Sequence, residues 1–76
     1  MYSNNWKNLA KGLLKSELAK RNVSYVSLVN KLEDIGVKEN PENINNKINR
    51  GTFSTIFFLQ CLQAIGCKSV RTDIEE

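Results

Sequence analysis

Asn40-Pro41-Glu42-Asn43-Ile44-Asn45-Asn46-Lys47-Ile48-Asn49-Arg50-Gly51 reads as a helix that carries its own start and stop. An asparagine ahead of the first turn accepts a hydrogen bond from an otherwise unpartnered backbone N–H. Proline at the next position loses nothing, because its missing N–H had no intrahelical partner. Glycine ends such a helix by taking the left-handed conformation that other residues avoid. Within the run only Ile44 and Ile48 are strongly apolar, and at 100° per residue they lie about 40° apart on one face. Glu42, Asn43, Asn46, Asn49 and Arg50 gather on the opposite arc, with Asn45 and Lys47 flanking it.

The flanking sequence repeats this punctuation. Upstream, Ser24 is an N-cap, with Val23 and Leu28 at the spacing of a hydrophobic staple. Leu28, Val29, Leu32 and Ile35 then form an apolar stripe that Gly36 stops. Before it, a helix is predicted from Asn4 or Asn5 to Arg21. Its apolar residues are Trp6, Leu9, Ala10, Leu13, Leu14 and Leu18, and Lys7, Lys11 and Lys15 occupy the outer face. Gly12 inside it costs about 1 kcal/mol relative to alanine, so either the pattern tolerates it or another backbone approaches there. Downstream, a fourth helix starts near Thr52 or Ser54, with Phe53 over its start, and runs through Ile56, Phe57, Leu59, Leu62 and Ile65 to Gly66. No segment reads as a strand. Cys67 to Glu76 is left open between a loop, a short extended piece and a partial turn.

A chain of 76 residues buries only about 60% of its unfolded surface, which leaves room for one core. The expectation is all-α: a compact four- or five-helix bundle forming a single domain over residues 1–76, ordered over about 5–67, with a tail at 68–76. Hydrophobic residues at 41% and charged residues at 25% are those of an ordinary globular chain. The longest apolar run, Ile56-Phe57-Phe58-Leu59, is far below the roughly 20 residues of a membrane span, and the N-terminus has no apolar signal core, so a cytoplasmic protein is expected.

Histidine is absent, which removes most acid-base, nucleophile and metal constellations. Cys61 and Cys67 match neither a redox pair nor a zinc spacing and read as two reduced structural thiols. Glu17, Glu33, Asp34, Glu39 and Glu42 read as scattered over solvent faces, and no glycine-rich phosphate loop is present. Neither an enzyme nor a cofactor, metal or small-molecule substrate is expected.

Net charge is +3, unevenly spread. Residues 1–22 carry Lys7, Lys11, Lys15, Lys20 and Arg21 against Glu17, whereas Asp73, Glu75 and Glu76 make the end acidic. The lysines at helical spacing are either a solvated face or an electrostatic footprint for nucleic acid. Ten asparagines are present, and those of residues 43–49 lower helix propensity. They read either as a polar surface biased by codon usage or as a functional display. Carboxamides and a guanidinium on a helix anchored by two isoleucines have the chemistry of major-groove reading. Asparagine pairs with adenine N6 and N7, and arginine with guanine O6 and N7.

The order of helix, serine-capped helix, polar helix ending in Arg50-Gly51, and apolar helix from Ser54 to Gly66 resembles the DNA-binding domains of the lambda repressor and Cro class. Leu28, Val29, Leu32, Ile44 and Ile48 carry the resemblance together with those caps. The chain is also similar, from Trp6 to about Gly66, to a family of small bacterial domains of unknown function that share a string like Lys47-Ile48-Asn49-Arg50-Gly51-Thr52-Phe53-Ser54.

The repressor resemblance implies a helix-turn-helix bundle in which the helix over 41–50 enters the major groove with its N-terminal half nearest the bases. It places Glu42, Asn43 and Asn46 at base edges. Ser24, Tyr25, Ser27, Lys47, Arg50, Thr52 and Ser54 then fall at phosphates, and Arg50 has the alternative of capping the last carbonyls. The connection Gly36–Asn40 is longer than the turn of that motif, and Val29 stands where the pattern usually has a small residue.

The function implied is a small bacterial or phage transcriptional regulator bound to double-stranded DNA. The alternative is a helical protein-interaction module without DNA binding. Because Ile56, Phe57, Phe58 and Leu59 are consecutive, at least one must point away from a monomer core. Either the fourth helix self-associates into a homodimer or the small domain wraps it nearly all round.

Overall fold

The computed structural model describes residues 5–70, which form four helices and, among the described residues, no strand. They are α1 (Trp6–Lys20), α2 (Tyr25–Asp34), α3 (Pro41–Arg50) and α4 (Thr55–Ala64). None is long and apolar enough to cross a membrane.

Starts and stops follow local chemistry. Ser24, Asn40 and Ser54 each sit in extended backbone, and their side-chain oxygens accept from the N–H groups of Ser27, Asn43 and Phe57 at 3.1, 2.8 and 3.0 Å. α1 lacks such a cap, since the side chain of Asn5 accepts no backbone N–H and meets only the Asn8 amide at 3.5 Å. Gly36, Gly51 and Gly66 all take positive φ after α2, α3 and α4, as their positions predict. Asn22 does the same after α1 at φ 57°. The N–H of Val23 then reaches back to the Leu18 carbonyl, and that of Val37 to Leu32, closing both helix ends.

The buried core joins all four helices: Leu14 and Leu18, Leu28 and Leu32, Ile44 and Ile48, and Phe57, Cys61 and Leu62. The backbones of α1 and α2 each run close to both α3 and α4, while α3 and α4 meet through side chains, Lys47 lying over the Phe57 ring. Val23, Val29, Val37, Phe53 and Phe58 close the edges, and Val70 also rests against the core. Residues 71–76, most of the open tail, lie outside the described residues.

Several expectations are corrected. Trp6 and Ile35, assigned to buried stripes, are 68% and 42% exposed. Trp6 is the first residue of α1 and Ile35 the C-cap of α2, so each has helix on one side only. Of the two alternatives at Gly12 the first holds: the helix tolerates it, and an added Cβ would meet nothing within 4 Å. The close approach occurs instead at Gly51. Glu17 does not lie on a solvent face but is buried, 5% exposed, and the Glu39 side chain is also largely enclosed.

Candidate nucleic-acid interface

α3 is held by its apolar face and by its C-terminal end. Ile44 and Ile48 are completely buried, whereas Glu42, Asn43, Asn45, Asn46, Asn49 and Arg50 are exposed, as the 3.6-residue period requires. At the end of the helix the Lys11 ammonium donates to the Asn49 carbonyl at 3.2 Å. A cation there satisfies one of the carbonyls that a helix leaves unpaired and complements the negative end of its dipole. Two residues further on, Gly51 lies against the Lys7 backbone so closely that a Cβ would stand 2.7 Å from the Lys7 oxygen. α1 therefore grips α3 through backbone contact and a charged cap.

A second restraint comes from the α2–α3 connection. The Lys47 ammonium pairs with Glu39 Oε2 and sits 4.7 Å from the centre of the Phe57 ring, a cation-π position. Lys47 thus ties the connection and α4 to α3, and of the residues assigned to phosphate it alone is bound to a carboxylate among the described residues. Glu39 Oε1 is buried without a partner. Cys61 lies in the same region. Burial, with the negative charge of Glu39, pushes its thiol up to about 12, so it is a neutral core group.

The N-terminal half of α3 is differently placed. The carboxylate of Glu42 lies in the first turn, where the positive end of the dipole favours it. The Asn43 and Asn46 side chains are exposed and, among the described residues, make no hydrogen bond. Asn49 instead donates to Asn45 at 3.0 Å. Arg50 is exposed and free of ion pairs among the described residues, and because Lys11 supplies the carbonyl cap, the guanidinium is not engaged in that role.

The residues assigned to phosphate fall into two groups. Arg50, Thr52 and Ser54 follow one another along the end of α3 and the start of α4, and all three are exposed. Ser24, Tyr25 and Ser27 form the start of α2, with Ser24 exposed and the other two half-buried. Ser24 and Ser54 each use an oxygen lone pair as helix cap, which leaves the hydroxyl hydrogen free to donate. Burial raises the Tyr25 phenol above its ordinary value, so it remains a neutral donor at pH 7.

Sequence reasoning missed Lys7, Lys11 and Glu39 as the residues that fix α3. Lys11 and Lys7 meet it only in three dimensions, and Glu39 and Lys47 are eight apart, which is no helical spacing. A further polar cluster stands apart from α3. Glu17 Oε1 accepts from Arg21 at 2.7 Å and Oε2 from Lys20 at 3.2 Å. The Cys67 thiol lies 3.6 Å from Oε1 and 3.2 Å from the Ser69 carbonyl. Arg21, then Lys20, hold the Glu17 carboxyl below its ordinary value, and Glu17 raises Arg21 in return. This cluster pins residues 67–69 to the end of α1, with the single carboxylate of Glu17 shared by two cations, Lys20 and Arg21.

A family model described as a Domain of unknown function (DUF6471) matches residues 6–70. No curated protein and no solved structure matches the chain.

Proposed function

The chain belongs to the DUF6471 domain family, and we propose that it is a small double-stranded-DNA-binding protein of the lambda repressor-like helix-turn-helix type, a bacterial or phage transcriptional regulator with α3 as its reading helix. The observation that carries this reading is the asymmetry of α3. Its C-terminal half is fixed by Lys7, Lys11 and the Glu39–Lys47 pair, while Asn43 and Asn46 project from the other half with their hydrogen-bonding groups unused. A reading helix needs that combination, a rigid seat and an unsatisfied polar edge. Asn43 and Asn46 suit adenine, and Glu42 suits the amino group of cytosine. Arg50, Thr52 and the hydroxyls of Ser24 and Ser54 supply phosphate donors, with the free N–H groups at the starts of α2 and α4.

Titration of isotopically labelled protein with a mixed-sequence duplex at moderate salt tests this reading through backbone and asparagine side-chain amides. Shifts are expected on Asn43, Asn46, Asn49, Arg50 and Thr52. Arg50→Ala or Asn46→Ala should each weaken binding by about 1–3 kcal/mol, and affinity should fall with salt at about one unit of log-log slope per phosphate neutralised. Shifts confined to Lys7, Lys11 and Lys15, or binding indifferent to salt, would overturn it and turn attention to a protein partner.

A further inference from the structure

Lys7, Lys11 and Lys15 recur every four residues along α1 and so share one face, where each weakens the helix by repelling the next. Lys7 also stands in the first turn, at the positive end of the dipole, and no acidic residue accompanies it there. Among the described residues none of the three meets a carboxylate, because Glu17, the one acid of α1, is taken by Lys20 and Arg21. The row is not turned to open solvent alone. At one end the Lys7 backbone touches Gly51, and the Lys11 ammonium uses one of its three N–H groups on the Asn49 carbonyl. Both lysines thereby lie beside the segment that carries Arg50 and Thr52. At the other end Lys15 borders the same hollow as Ser24 and Tyr25. The row therefore bridges the two sets of phosphate donors, one at the end of α3 and one at the start of α2.

We infer that this lysine row is a third backbone contact, following successive phosphates along one strand of a duplex. The inference rests on the reading of α3 for its partner. A rise of 1.5 Å per residue sets Lys7 and Lys15 about 12 Å apart along α1, and each strand presents a phosphate about every 3.4 Å of duplex axis. The row can thus cover about three or four in succession. Regularly spaced cations between two groups of neutral hydroxyl donors match a regular polyanion whose oxygens accept from both. An acidic protein surface offers no such repeat. A lipid surface calls for apolar side chains beside the cations, and of the large apolar residues of α1 only Trp6 is exposed.

Fluorescence anisotropy of a labelled mixed-sequence duplex, titrated with the full chain at several salt concentrations, tests it. Lys7→Gln and Lys15→Gln are the informative changes, since Lys11 also caps α3. Each should lower the log-log salt slope by about 0.9, and the double variant by about 1.8, because each phosphate left unneutralised retains its counterions. The loss should be the same on every duplex sequence. Lys68→Gln, at an exposed position off the row, removes an equal charge and should leave the slope unchanged.

A slope that neither row variant lowers, or one that Lys68→Gln lowers equally, would overturn the row. The reading of α3 would survive that result if Arg50→Ala and Asn46→Ala still weakened binding. A slope lowered by the row variants, while Arg50→Ala and Asn46→Ala bind like the parent, would uphold the row and overturn α3 as the reading helix. Binding to phosphatidylserine vesicles but not to the duplex, lost in the double variant, would assign the lysines to a membrane and overturn the inference. Absence of any duplex binding would overturn both.

Discussion

The Gly51 Cα faces the Lys7 carbonyl, and the space between them is too small for a methyl group: an added Cβ would stand 2.7 Å from the oxygen and 3.1 Å from both the carbonyl carbon and the Lys7 Cβ. Gly51 also has φ 69°. Two requirements for glycine coincide at the residue that seats the end of α3 against α1.

Substitution separates them. Gly36 has φ 83° but open space around it, so Gly36→Ala should cost only the left-handed backbone penalty, about 1 kcal/mol. Gly51→Ala adds a clash with backbone and should cost about 3 kcal/mol or more. Gly12→Ala, in open helix, should stabilise by up to about 1 kcal/mol. Chemical denaturation of the three variants measures the order, and equal losses at 36 and 51 would contradict the close approach.

Lys47→Met keeps the aliphatic stem over Phe57 but leaves the Glu39 carboxylate enclosed, with neither oxygen paired. Lys47 is about one-third exposed, which moderates the effect, and a loss of about 1–2 kcal/mol is expected. Adding Glu39→Gln removes the stranded charge and should recover most of it. A double-mutant cycle in unfolding free energy checks the coupling, and additive losses would show that the pair is decorative.

Glu17 gives the fold an acid dependence of known sign. Its carboxyl lies below the ordinary value in the folded chain, so its contribution is complete above the unfolded value of about 4.3 and is lost as pH falls through the folded one. Denaturation midpoints between neutral pH and about pH 3 should fall more steeply for the parent protein than for Glu17→Gln. Parallel curves would assign the acid dependence to other groups.

The two thiols should react in sequence. Cys61 is fully buried with its thiol raised to about 12, and Cys67 is only half-buried. At about pH 8 a thiol reagent should label one cysteine rapidly and the second at the rate of unfolding. Cys67→Ser should abolish the fast phase.

Helix ends were legible in the sequence because caps and stops depend on a few adjacent residues: Ser24, Asn40 and Ser54 opened helices, and Gly36, Gly51 and Gly66 closed them. Asn22 escaped notice because a left-handed asparagine needs no unusual neighbour. Ile44 and Ile48 also defined the exposed arc of α3, and the exposure of Ile56 and Leu59 was recoverable from four consecutive apolar residues of which not all could turn inward. What stayed hidden was set by contacts between helices. The Glu17, Lys20 and Arg21 spacings of three and four were visible as pairs, but nothing local showed that residues 67–69 would close over them. The grip of Lys7 and Lys11 on α3, and the engagement of Lys47 by Glu39, likewise required the packed chain.

The close backbone contacts each join a helix of the first half of the chain, α1 or α2, to one of the second, α3 or α4. A break within residues 36–39 would part each helix from the helices its backbone runs closest to, so each fragment buries most of its apolar stripe only on meeting the other. The domain is therefore expected to unfold as one cooperative unit, with no helical hairpin persisting as an intermediate. Its two halves are the natural pieces for fragment complementation, unstructured when separate and ordered together.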